Sequence, residues 1–404
     1  MRVLVVIHYP VFGGPHNQAL VLARALRGRG VETTVLLPQD SLEAVERFRA
    51  ANVDVVTIPL HRLRATVNPL RHFPLLAFFW REISTIRRVI REREIDLVQV
   101  AGLVNPHSAL AAKFEGVPIV WQLLDTRPPM ALRRVMMPLV VRLADVVMTT
   151  GRGVANVHPG VERLGERLRV FFPPVEGAEF DPDVVDRTAA RAEFGLALED
   201  AVVGTVGNLN PQKGHEHLIE AVAIMRREQP RTRLLVVGAS HDTHRAYERA
   251  LHQLCERLGL IVGKDVVFAG VRSDVSTALG AMDVFALASV PRSEGAPTAI
   301  EEAMMFGLPV VATGVGSVAE LVDHGRTGYI VAPLDPRALA HAALQLCDDA
   351  EQRARFGRRG RARALDLFSA QRCADVHAAA YELAGGRTRT ANALLADRHQ
   401  GPAD

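Results

Sequence analysis

Cysteine, lysine and long apolar runs are all scarce in this chain of 404 residues. Its cysteines, Cys255, Cys347 and Cys373, are scattered and lack the Cys-x-x-Cys spacing of zinc and redox sites, so neither a disulfide framework nor a metal site is indicated. The most suggestive apolar run, Phe73–Trp80, is far shorter than the roughly 18 residues of a spanning helix. The run Val3–Ile7 is too short for an export signal and indicates a buried strand. We therefore expect a protein of a reducing, cytoplasmic compartment.

An excess of one sign of charge is also missing. Lysine and arginine together number 48 against 45 acids, which gives a net charge of +3. The lysines are Lys113, Lys213 and Lys264 alone, so the arginine content partly reflects a compositional bias. Nucleic-acid binding needs clustered basic charge interleaved with aromatic residues, which this balance does not supply. We expect no nucleic-acid partner.

The chain instead alternates short apolar runs with amphipathic stretches, a pattern typical of parallel sheets wound with helices on both faces. The predicted strands of the first half are Val3–Ile7, Thr33–Leu37, Val53–Ile58, Leu97–Val100, Pro118–Trp121 and Val146–Thr149. Those of the second half are Val202–Val206, Arg233–Val237, Val266–Phe268, Val284–Leu287, Pro309–Ala312 and Tyr329–Val331. Because the chain exceeds what one core usually serves, the pattern predicts two doubly wound α/β domains.

Prolines and acids between the two halves break the alternation and predict a linker at 173–183. The N-terminal domain is accordingly expected at 1–172 and the C-terminal domain at 184–365. The residues after 386 are polar and rich in alanine, without a clear period, so we expect a disordered tail at 387–404.

The richest motif runs from Ala286 to Thr313 and reads strand, loop, helix, turn, strand. Glu294 lies in the loop, and Glu302 follows eight residues later in the helix. Carboxylates accept hydrogen bonds from vicinal hydroxyls, while the first turn of a helix offers free N–H groups to an anion, so these parts suit a sugar nucleotide. Chance alone would give about five acid pairs at this spacing, and Glu301 with Glu302 could form a solvated helix face. The tight strand–loop–helix context favours the functional interpretation.

A second motif, Val203–Ala221, also reads strand, loop, helix, with Lys213 at the end of the loop. A lysine there would act as a point charge on a departing diphosphate, where negative charge grows in the transition state. An exposed surface lysine is the ordinary alternative, but lysine is rare in this chain. The loop is not a Walker loop, because no Gly-Lys-Ser/Thr follows at the required spacing.

Together the two motifs resemble the signature loops of the family 4 retaining glycosyltransferases, with Glu294 and Glu302 matching the E-x7-E motif. The resemblance implies the GT-B fold, in which two doubly wound, Rossmann-like domains face a cleft, and a helix at 366–386 that crosses back to the N-terminal domain. It implies that Glu302 holds the ribose and that Lys213 neutralises the leaving group. The donor's sugar and phosphates would be bound by Glu294 and by the backbone amides of Gly295, Ala296, Thr298 and Ala299.

Three other segments extend the resemblance over nearly the whole chain. Gly13 and Gly14 resemble the N-terminal glycine turn, which in the family approaches the donor phosphate from the opposite domain; a mere tight turn is the alternative. The segment Phe268–Val275 resembles the nucleobase-side loop, and Gly314–Gly328 resembles the closing segment of the site.

The sequence departs from the family pattern at two positions. Asn208 stands where the family usually has an arginine beside the lysine loop, so one phosphate cation is missing unless Arg272 or another arginine replaces it. Leu124 stands where the family often has a histidine before Asp125. Asp125 remains a catalytic candidate for orienting the acceptor or the sugar, against the alternative of an acid that caps the end of a strand. His107 is a weaker candidate, with a surface histidine as the alternative.

The predicted activity is transfer of a sugar from a nucleotide-diphosphate-sugar to a glycan, a lipid-linked acceptor or a small molecule, without an obligatory metal or cofactor. A nucleotide-sugar epimerase or hydrolase of the same fold is an alternative. A dehydrogenase is another, because Gly314-x-Gly316-x-x-Ala319 follows a predicted strand and Asp335 lies about twenty residues on. That interpretation leaves Lys213 and both acids of the first motif unexplained.

A non-catalytic, membrane-associated protein that binds sugar nucleotides is the third alternative. Basic residues precede the apolar run Phe73–Trp80 and could seat the N-terminal domain on anionic lipid as a peripheral contact. These residues are Arg62, Arg64, Arg71 and His72. A basic helix face above an ordinary buried stripe explains the same pattern.

Overall fold

A computed structural model of the chain describes residues 1–61, 73–240 and 244–399, with side chains throughout except at 73–76 and 389–399. Arg62, Arg64, Arg71 and His72 therefore lie outside the described residues. The chain divides into two compact units: unit 1 comprises Met1–Pro174 and the segment from Ala370, and unit 2 comprises Val175–Ser369.

Unit 1 alternates strands and helices. Its described strands are β1 (Arg2–Ile7), β2 (Glu32–Pro38), β3 (Asp54–Ile58), β4 (Leu97–Ala101), β5 (Ile119–Leu123), β6 (Val146–Thr150) and β7 (Leu168–Phe171). Its described helices are α1 (Gly14–Arg27), α2 (Leu42–Ala50), α3 (Phe73–Glu92), α4 (Pro106–Phe114), α5 (Met130–Leu143), α6 (Arg152–Asn156) and α15 (Ala370–His399). The strands form one parallel sheet in the order β3-β2-β1-β4-β5-β6-β7.

Both faces of this sheet are covered. Along β1, Val3, Val5 and Ile7 lie in a core shared with α1, α2 and α15, whereas Leu4 and Val6 lie in a second core shared with α3, α4 and α5. A continuous run of buried residues is what a parallel strand with helices on both faces requires. The doubly wound sheet that the sequence predicts is confirmed.

The final helix, α15, is held on the sheet by a buried polar network. The hydroxyl of Tyr381 donates to Oε1 of Gln99 in β4 at 2.6 Å, and Nε2 of Gln122 in β5 lies 3.0 Å from Nε2 of His377. All four residues are almost fully buried. Because a buried polar group without a partner is costly, these contacts specify where α15 packs.

The observed bounds differ from the expected ones at both ends of α15 and at β7. Helix α15 runs from residue 370 to 399, whereas the sequence analysis placed it at 366–386 and expected disorder from 387. The alanines, leucines and arginines after 386 are strong helix formers, which explains the longer helix despite its weak apolar period. Strand β7 was not predicted, because its four residues run directly into the prolines taken as the linker.

Unit 2 repeats the winding. Its described strands are β8 (Ala201–Val206), β9 (Thr232–Val237), β10 (Val266–Gly270), β11 (Val284–Leu287), β12 (Val310–Thr313) and β13 (Gly328–Val331). Its described helices are α7 (Arg187–Glu193), α8 (His215–Glu228), α9 (Arg245–Arg257), α10 (Val275–Ala281), α11 (Thr298–Met305), α12 (Val318–Leu321), α13 (Pro336–Asp348) and α14 (Ala350–Leu367). The sheet is parallel, in the order β10-β9-β8-β11-β12-β13.

The amino ends of β8 and β11 are joined through Asp283. Its Oδ2 accepts hydrogen bonds from the backbone N–H of Val202 at 2.8 Å and from Arg191 at 2.7 Å, while its Oδ1 accepts from Arg187 at 2.6 Å. Arg191 is 1% exposed and also donates to four backbone carbonyl oxygens. This cluster holds together the two strands whose opposite ends carry the candidate site.

Candidate active site

Three loops of unit 2 meet at one edge of its sheet. Strands β8, β11 and β12 are neighbours, and the loops that follow them carry Lys213, Glu294 and the Gly314–Ser317 turn. The carboxyl ends of parallel strands lie at the same edge, where α/β proteins usually bind their ligands. Both sequence motifs therefore contribute to a single site.

The loop after β8 is fastened to the loop after β11. The side chain of Asn210 accepts a hydrogen bond from Gln212 N at 3.0 Å, and the carbonyl of Gln212 accepts one from Val290 N at 3.0 Å. Gly214 has a φ of 62°, and a Cβ there would lie 2.2 Å from the carbonyl oxygen of Ala288. Only glycine permits this approach, which places Lys213 above the end of β11.

Lys213 and Glu294 are in direct contact. Nζ of Lys213 lies 2.7 Å from Oε1 of Glu294, and the hydroxyl of Ser289 donates to the same oxygen at 2.6 Å. Glu294 is 5% exposed, and the side chain of Lys213 is 17% exposed. A carboxylate and an ammonium group thus share a site that is largely shielded from water, where charges act more strongly than on an open surface.

The turn after β12 closes over the same loop. Gly316 has a φ of 57°, and a Cβ there would lie 2.7 Å from the carbonyl oxygen of Glu294 and 2.6 Å from that of Gly295. Ser317 N donates to the Gly295 carbonyl at 2.9 Å. The helix that follows, α12, has four residues. Of the glycines in the dinucleotide-like pattern, Gly316 therefore packs against the Glu294 loop and Gly314 packs against Ile330 of β13. Helix α12 is too short to present the helix terminus that a dehydrogenase fingerprint needs.

Helix α11 begins directly after the Glu294 loop, with Thr298 and Ala299 in its first turn. First-turn N–H groups have no intrahelical acceptor, so they can serve an anion. Glu302 lies one turn further on and is partly exposed. Burial of its carboxyl, with a smaller contribution from the charge of Glu179, raises the pKa of Glu302 to about 8.

Glu301 is not on the solvated face that the sequence allowed. It is fully buried, and among the described residues neither oxygen of its carboxyl has a hydrogen-bond partner. Burial, together with the charge of Glu302, holds the pKa of Glu301 well above the ordinary value of 4.5. Such a group is most stable as the neutral acid.

We expect Glu301→Met to stabilise the protein, increasingly as the pH rises. A raised carboxyl pKa contributes stability that is complete below the unfolded-state value and is lost as the pH rises through the folded-state value. The wild type therefore loses stability above about pH 4.5 from this group, and the variant does not. Thermal melts at pH 5 and pH 8.5 measure the difference, with a gain of about 1–3 kcal/mol at the higher pH.

Several buried histidines also make stability depend on pH, but they destabilise the fold as the pH falls. The wild type and Glu301→Met share these histidines. Burial lowers the pKa of His107, His215 and His377 to about 4, which destabilises the fold below about pH 6.5. The comparison between variant and wild type at each pH cancels this contribution. A stability difference that is constant across pH would contradict the account of Glu301.

Asn208 and Arg272, two other residues predicted to bind the sugar-nucleotide donor, form no hydrogen bond or ion pair with Lys213 or Glu294 in the described part of the chain. Asn208 is exposed at the start of the Lys213 loop, and its carbonyl lies 3.3 Å from Nε2 of His215. Arg272 follows β10 at the other side of β8 and β9, where it forms an ion pair with Glu193 and lies over the ring of Phe194, 5.5 Å from its centroid. The structure therefore does not bring Arg272 to the Lys213–Glu294 pair.

The glycines at 13 and 14 are not required by the fold of unit 1. Gly13 is extended, Gly14 begins α1, and a Cβ at either would meet no atom within 4 Å. Neither has a positive φ, so a tight turn does not explain them. The missing side chains instead leave open space at the amino end of α1.

Asp125 lies just beyond β5 of unit 1, and His107 lies in the first turn of α4, which follows the neighbouring strand β4. Oδ1 of Asp125, just beyond β5, accepts a hydrogen bond from Arg127 N at 3.0 Å, which is the loop-capping contact weighed above. His107 is 0% exposed, so the expectation of a surface histidine was wrong. Its Nε2 lies 3.9 Å from Oε2 of Glu82, a buried acid that also accepts from His61. Neither ring nitrogen of His107 has a hydrogen-bond partner among the described residues.

Sequence reasoning missed two hydroxyls at this edge. Ser289 contacts Glu294, and the hydroxyl of Thr313 at the end of β12 donates to the Ser289 carbonyl at 2.7 Å. Both residues are fully buried. Their only signal in the sequence was a small polar residue immediately after, or at the end of, a buried strand.

The described ranges, 1–61, 73–240 and 244–399, contain neither a metal-binding cluster nor a membrane-spanning helix. No group of three or more His, Cys, Asp or Glu side chains there is arranged to hold a metal ion. No helix in those ranges is long and apolar enough to cross a bilayer.

Comparison with known proteins identifies the class to which these two parallel-sheet units belong, the glycosyltransferases with the GT-B fold. The family model described as glycosyl transferases group 1 matches residues 186–363, and the glycosyl transferase 4-like domain matches residues 13–170. The chain belongs to the glycosyl transferases group 1 family, as the sequence motifs predicted.

Curated relatives come from several bacteria. A GDP-mannose-dependent alpha-(1-6)-phosphatidylinositol monomannoside mannosyltransferase of Mycolicibacterium smegmatis is 31% identical over 70% of this chain and 75% of its own length. The lipopolysaccharide core mannosyltransferase LpsB of Rhizobium meliloti is 31% identical over 60% of this chain and 67% of its own. A D-inositol 3-phosphate glycosyltransferase of Corynebacterium urealyticum is 31% identical over 64% of this chain, and the match spans only 60% of that relative's length.

Solved structures share the fold. HepE of Anabaena, crystallised with UDP, has a TM-score of 0.79 at 24% identity, with 94% of this chain and 98% of that chain covered. A glycosyltransferase of Rickettsia africae has a TM-score of 0.80 at 17% identity, with 95% and 98% covered. At these identities the likeness shows the fold alone.

Proposed function

We propose that the chain is a retaining glycosyltransferase that moves a sugar from a nucleotide-diphosphate-sugar to a glycan, lipid-linked or small-molecule acceptor. The observation that carries the proposal is the contact of Lys213 with Glu294 at 2.7 Å, at the sheet edge where α11 begins. A cation for phosphate, a carboxylate for sugar hydroxyls and free helix N–H groups are thereby gathered in one place.

In the proposed reaction the bond between the anomeric carbon and the diphosphate oxygen breaks, and the acceptor oxygen bonds to that carbon on the same face. The acceptor's proton passes to the departing diphosphate. Lys213 and the amides of Thr298 and Ala299 stabilise the charge that grows on the leaving group, so no metal is obligatory for this step. Glu294, with the amides of Gly295 and Ala296, orients the sugar.

Gly14, Asn208, Arg272 and Asp125 keep the roles that the family resemblance implies for their positions. Gly14 leaves open space in which a phosphate could approach the backbone. Asn208 offers an amide instead of a guanidinium beside the Lys213 loop. Arg272 would border the nucleobase, and Asp125 would orient the acceptor or the sugar.

The relatives narrow the ligands to test. HepE was crystallised with UDP, one curated relative is named as GDP-mannose-dependent, and others are named for D-inositol 3-phosphate or for a lipopolysaccharide core. We therefore propose UDP- and GDP-sugars as donors and a polyol phosphate or glycolipid as acceptor.

The proposed division of roles predicts different losses for two acid variants. Glu294→Gln should weaken binding of the sugar nucleotide and spare the free nucleoside diphosphate, because this carboxylate faces the sugar. Glu302→Gln should weaken both, by about 1–2 kcal/mol at pH 9, since an amide accepts ribose hydrogen bonds less strongly than the ionised carboxylate does. Thermal shift with UDP, GDP, UDP-glucose and GDP-mannose measures both, and a ligand at 100 times its Kd stabilises by about 2.7 kcal/mol.

The raised pKa of Glu302 allows a second test, the pH dependence of nucleotide affinity, with Glu302→Gln as the control. Because that pKa is about 8, the carboxyl of the free protein is mostly protonated at pH 7 and ionises as the pH rises. Wild-type nucleotide affinity should therefore increase from pH 7 to pH 9, by up to about tenfold, and that of Glu302→Gln should not. Equal losses of both ligands in Glu294→Gln would refute the division of roles, and no shift of the wild type with any sugar nucleotide would refute the function.

We also propose that unit 1 contacts membrane lipid beside a lipid-linked acceptor. Phe78 and Trp80, near the start of α3, are 42% and 67% exposed, and exposed aromatic side chains favour the lipid–water interface. Trp80→Gln should reduce co-sedimentation with phosphatidylglycerol vesicles about fivefold. Phe114→Gln, which replaces another exposed aromatic residue of unit 1, is the control and should bind as the wild type does. Equal binding by both variants would contradict the contact.

A further inference from the structure

Ser289 lies just beyond the end of β11 and has no exposed surface. Its hydroxyl donates to Oε1 of Glu294 at 2.6 Å, a length typical of a hydrogen bond from a hydroxyl to an ionised carboxylate. Such bonds are roughly twice as strong as those between neutral groups. The buried serine therefore holds the one carboxylate of the Lys213–Glu294 pair from within the protein.

The same oxygen of Glu294 receives a second donor from a different strand. Lys213, at the end of the loop that follows β8, places Nζ 2.7 Å from Oε1, while Ser289 approaches from just beyond β11. Two donors that arrive from two strands restrict the carboxyl group to one orientation. Of the two donors, Ser289 is the less mobile, because a short buried side chain has fewer conformations than a lysine side chain.

The position of Ser289 is in turn fixed by β12. The hydroxyl of Thr313, also fully buried, donates to the Ser289 carbonyl at 2.7 Å. Gly316 lets the Glu294 loop pack against the turn that follows β12. Three neighbouring strands thus fix the carboxylate through contacts that are already present without a ligand.

We propose that Ser289 is a positioning residue that holds Glu294 for the donor's sugar, an inference that rests on the proposed function. During bond cleavage the ammonium group of Lys213 is drawn toward the charge that grows on the diphosphate, which weakens its contact with Glu294. Ser289 has no exposed surface with which to contact a ligand and keeps its bond to Glu294 throughout. Its effect therefore falls on the sugar and not on the nucleotide.

Ser289→Ala tests the proposal, with Ser293→Ala as a matched control. Ser293 lies in the same loop and is also buried, but its hydroxyl donates to the Val290 carbonyl at 2.6 Å. In Ser289→Ala, affinity for the sugar nucleotide and kcat/KM should fall about tenfold, while affinity for the free nucleoside diphosphate stays within about twofold. Ser293→Ala should leave both affinities and kcat/KM unchanged. Calorimetric titration with UDP, GDP and the sugar nucleotides gives the affinities, and a thermal melt reports any general loss of structure.

A ligand-free measurement separates this proposal from the proposed function. The chain has three lysines, so acylation by an amine-reactive reagent can be followed at each by mass spectrometry. In Ser289→Ala the less constrained carboxylate should protect Lys213 less, and its acylation should accelerate about threefold, with Lys113 and Lys264 as unchanged internal controls.

The outcomes are distinct. Equal loss of nucleotide and sugar nucleotide in Ser289→Ala, or an unchanged rate at Lys213, would overturn the positioning role. A wild type that binds no sugar nucleotide would contradict the proposed function, and the labelling rate would still decide whether Ser289 holds Glu294.

Discussion

Lys213→Ala should lower kcat about 10²-fold or more while donor affinity changes far less. The ammonium group is already beside Glu294 in the free protein, so its main contribution to the reaction is expected when negative charge develops on the leaving diphosphate. An interaction that strengthens only in the transition state raises kcat without tightening ground-state binding. Steady-state kinetics with saturating acceptor and calorimetric donor binding measure the two quantities separately.

Lys264→Ala is the matched control for that prediction. Lys264 is an exposed lysine of the same unit and lies outside the site, so its removal should leave kcat and donor affinity within about twofold of the wild type. If Lys213→Ala raises KM and leaves kcat unchanged, the lysine binds substrate and transition state equally. That result would remove Lys213 from the catalytic step.

Asp283→Ala should destabilise the protein by about 3–5 kcal/mol, the range for removing one partner of a buried ion pair. The substitution leaves the guanidinium of Arg191, which is 1% exposed, without its carboxylate, and it also removes the acceptor for Val202 N. The pairing of β8 with β11 loses support at the end opposite the site. Chemical denaturation measures the loss as a lower midpoint at an unchanged slope.

The control for Asp283 is an acid of unit 2 with an exposed ion pair. Glu199 and Arg231 lie 3.3 Å apart with side chains 57% and 63% exposed, so Glu199→Ala should cost less than about 1 kcal/mol. If the two variants lose similar stability, Asp283 is not the buried junction that its contacts indicate.

The sequence was sufficient for the architecture because each parallel strand is a continuous apolar run. Val284–Leu287 was predicted with its observed bounds, and the other predicted strands differ by one or two residues at an end. Strand β7 escaped because four residues beside prolines give little pattern. Helix α15 extends to His399 because helix propensity there persists without the apolar period that marks a packed face.

The candidate site was predictable in its parts but not in its assembly. Spacing put Lys213 and Glu294 after strands, yet the contact between them depends on β8 and β11 being neighbours, which sequence order does not state. Glu301 and Glu302 are adjacent in the sequence, but one is fully buried and the other is partly exposed, because neighbouring helical residues point about 100° apart. A burial difference of this kind arises only from the packing around the helix.

The most direct test of the account is ¹H NMR of the anomeric region while the protein acts on the sugar nucleotide that it binds, with D-inositol 3-phosphate and a mannosylated phosphatidylinositol offered as acceptors. The account predicts an acceptor-dependent glycoside signal with the anomeric configuration of the donor, which appears as nucleoside diphosphate is released. Free sugar in place of a glycoside would identify a hydrolase, and an epimerised sugar nucleotide without release of diphosphate would identify an epimerase. A glycoside of inverted configuration would contradict the retaining mechanism.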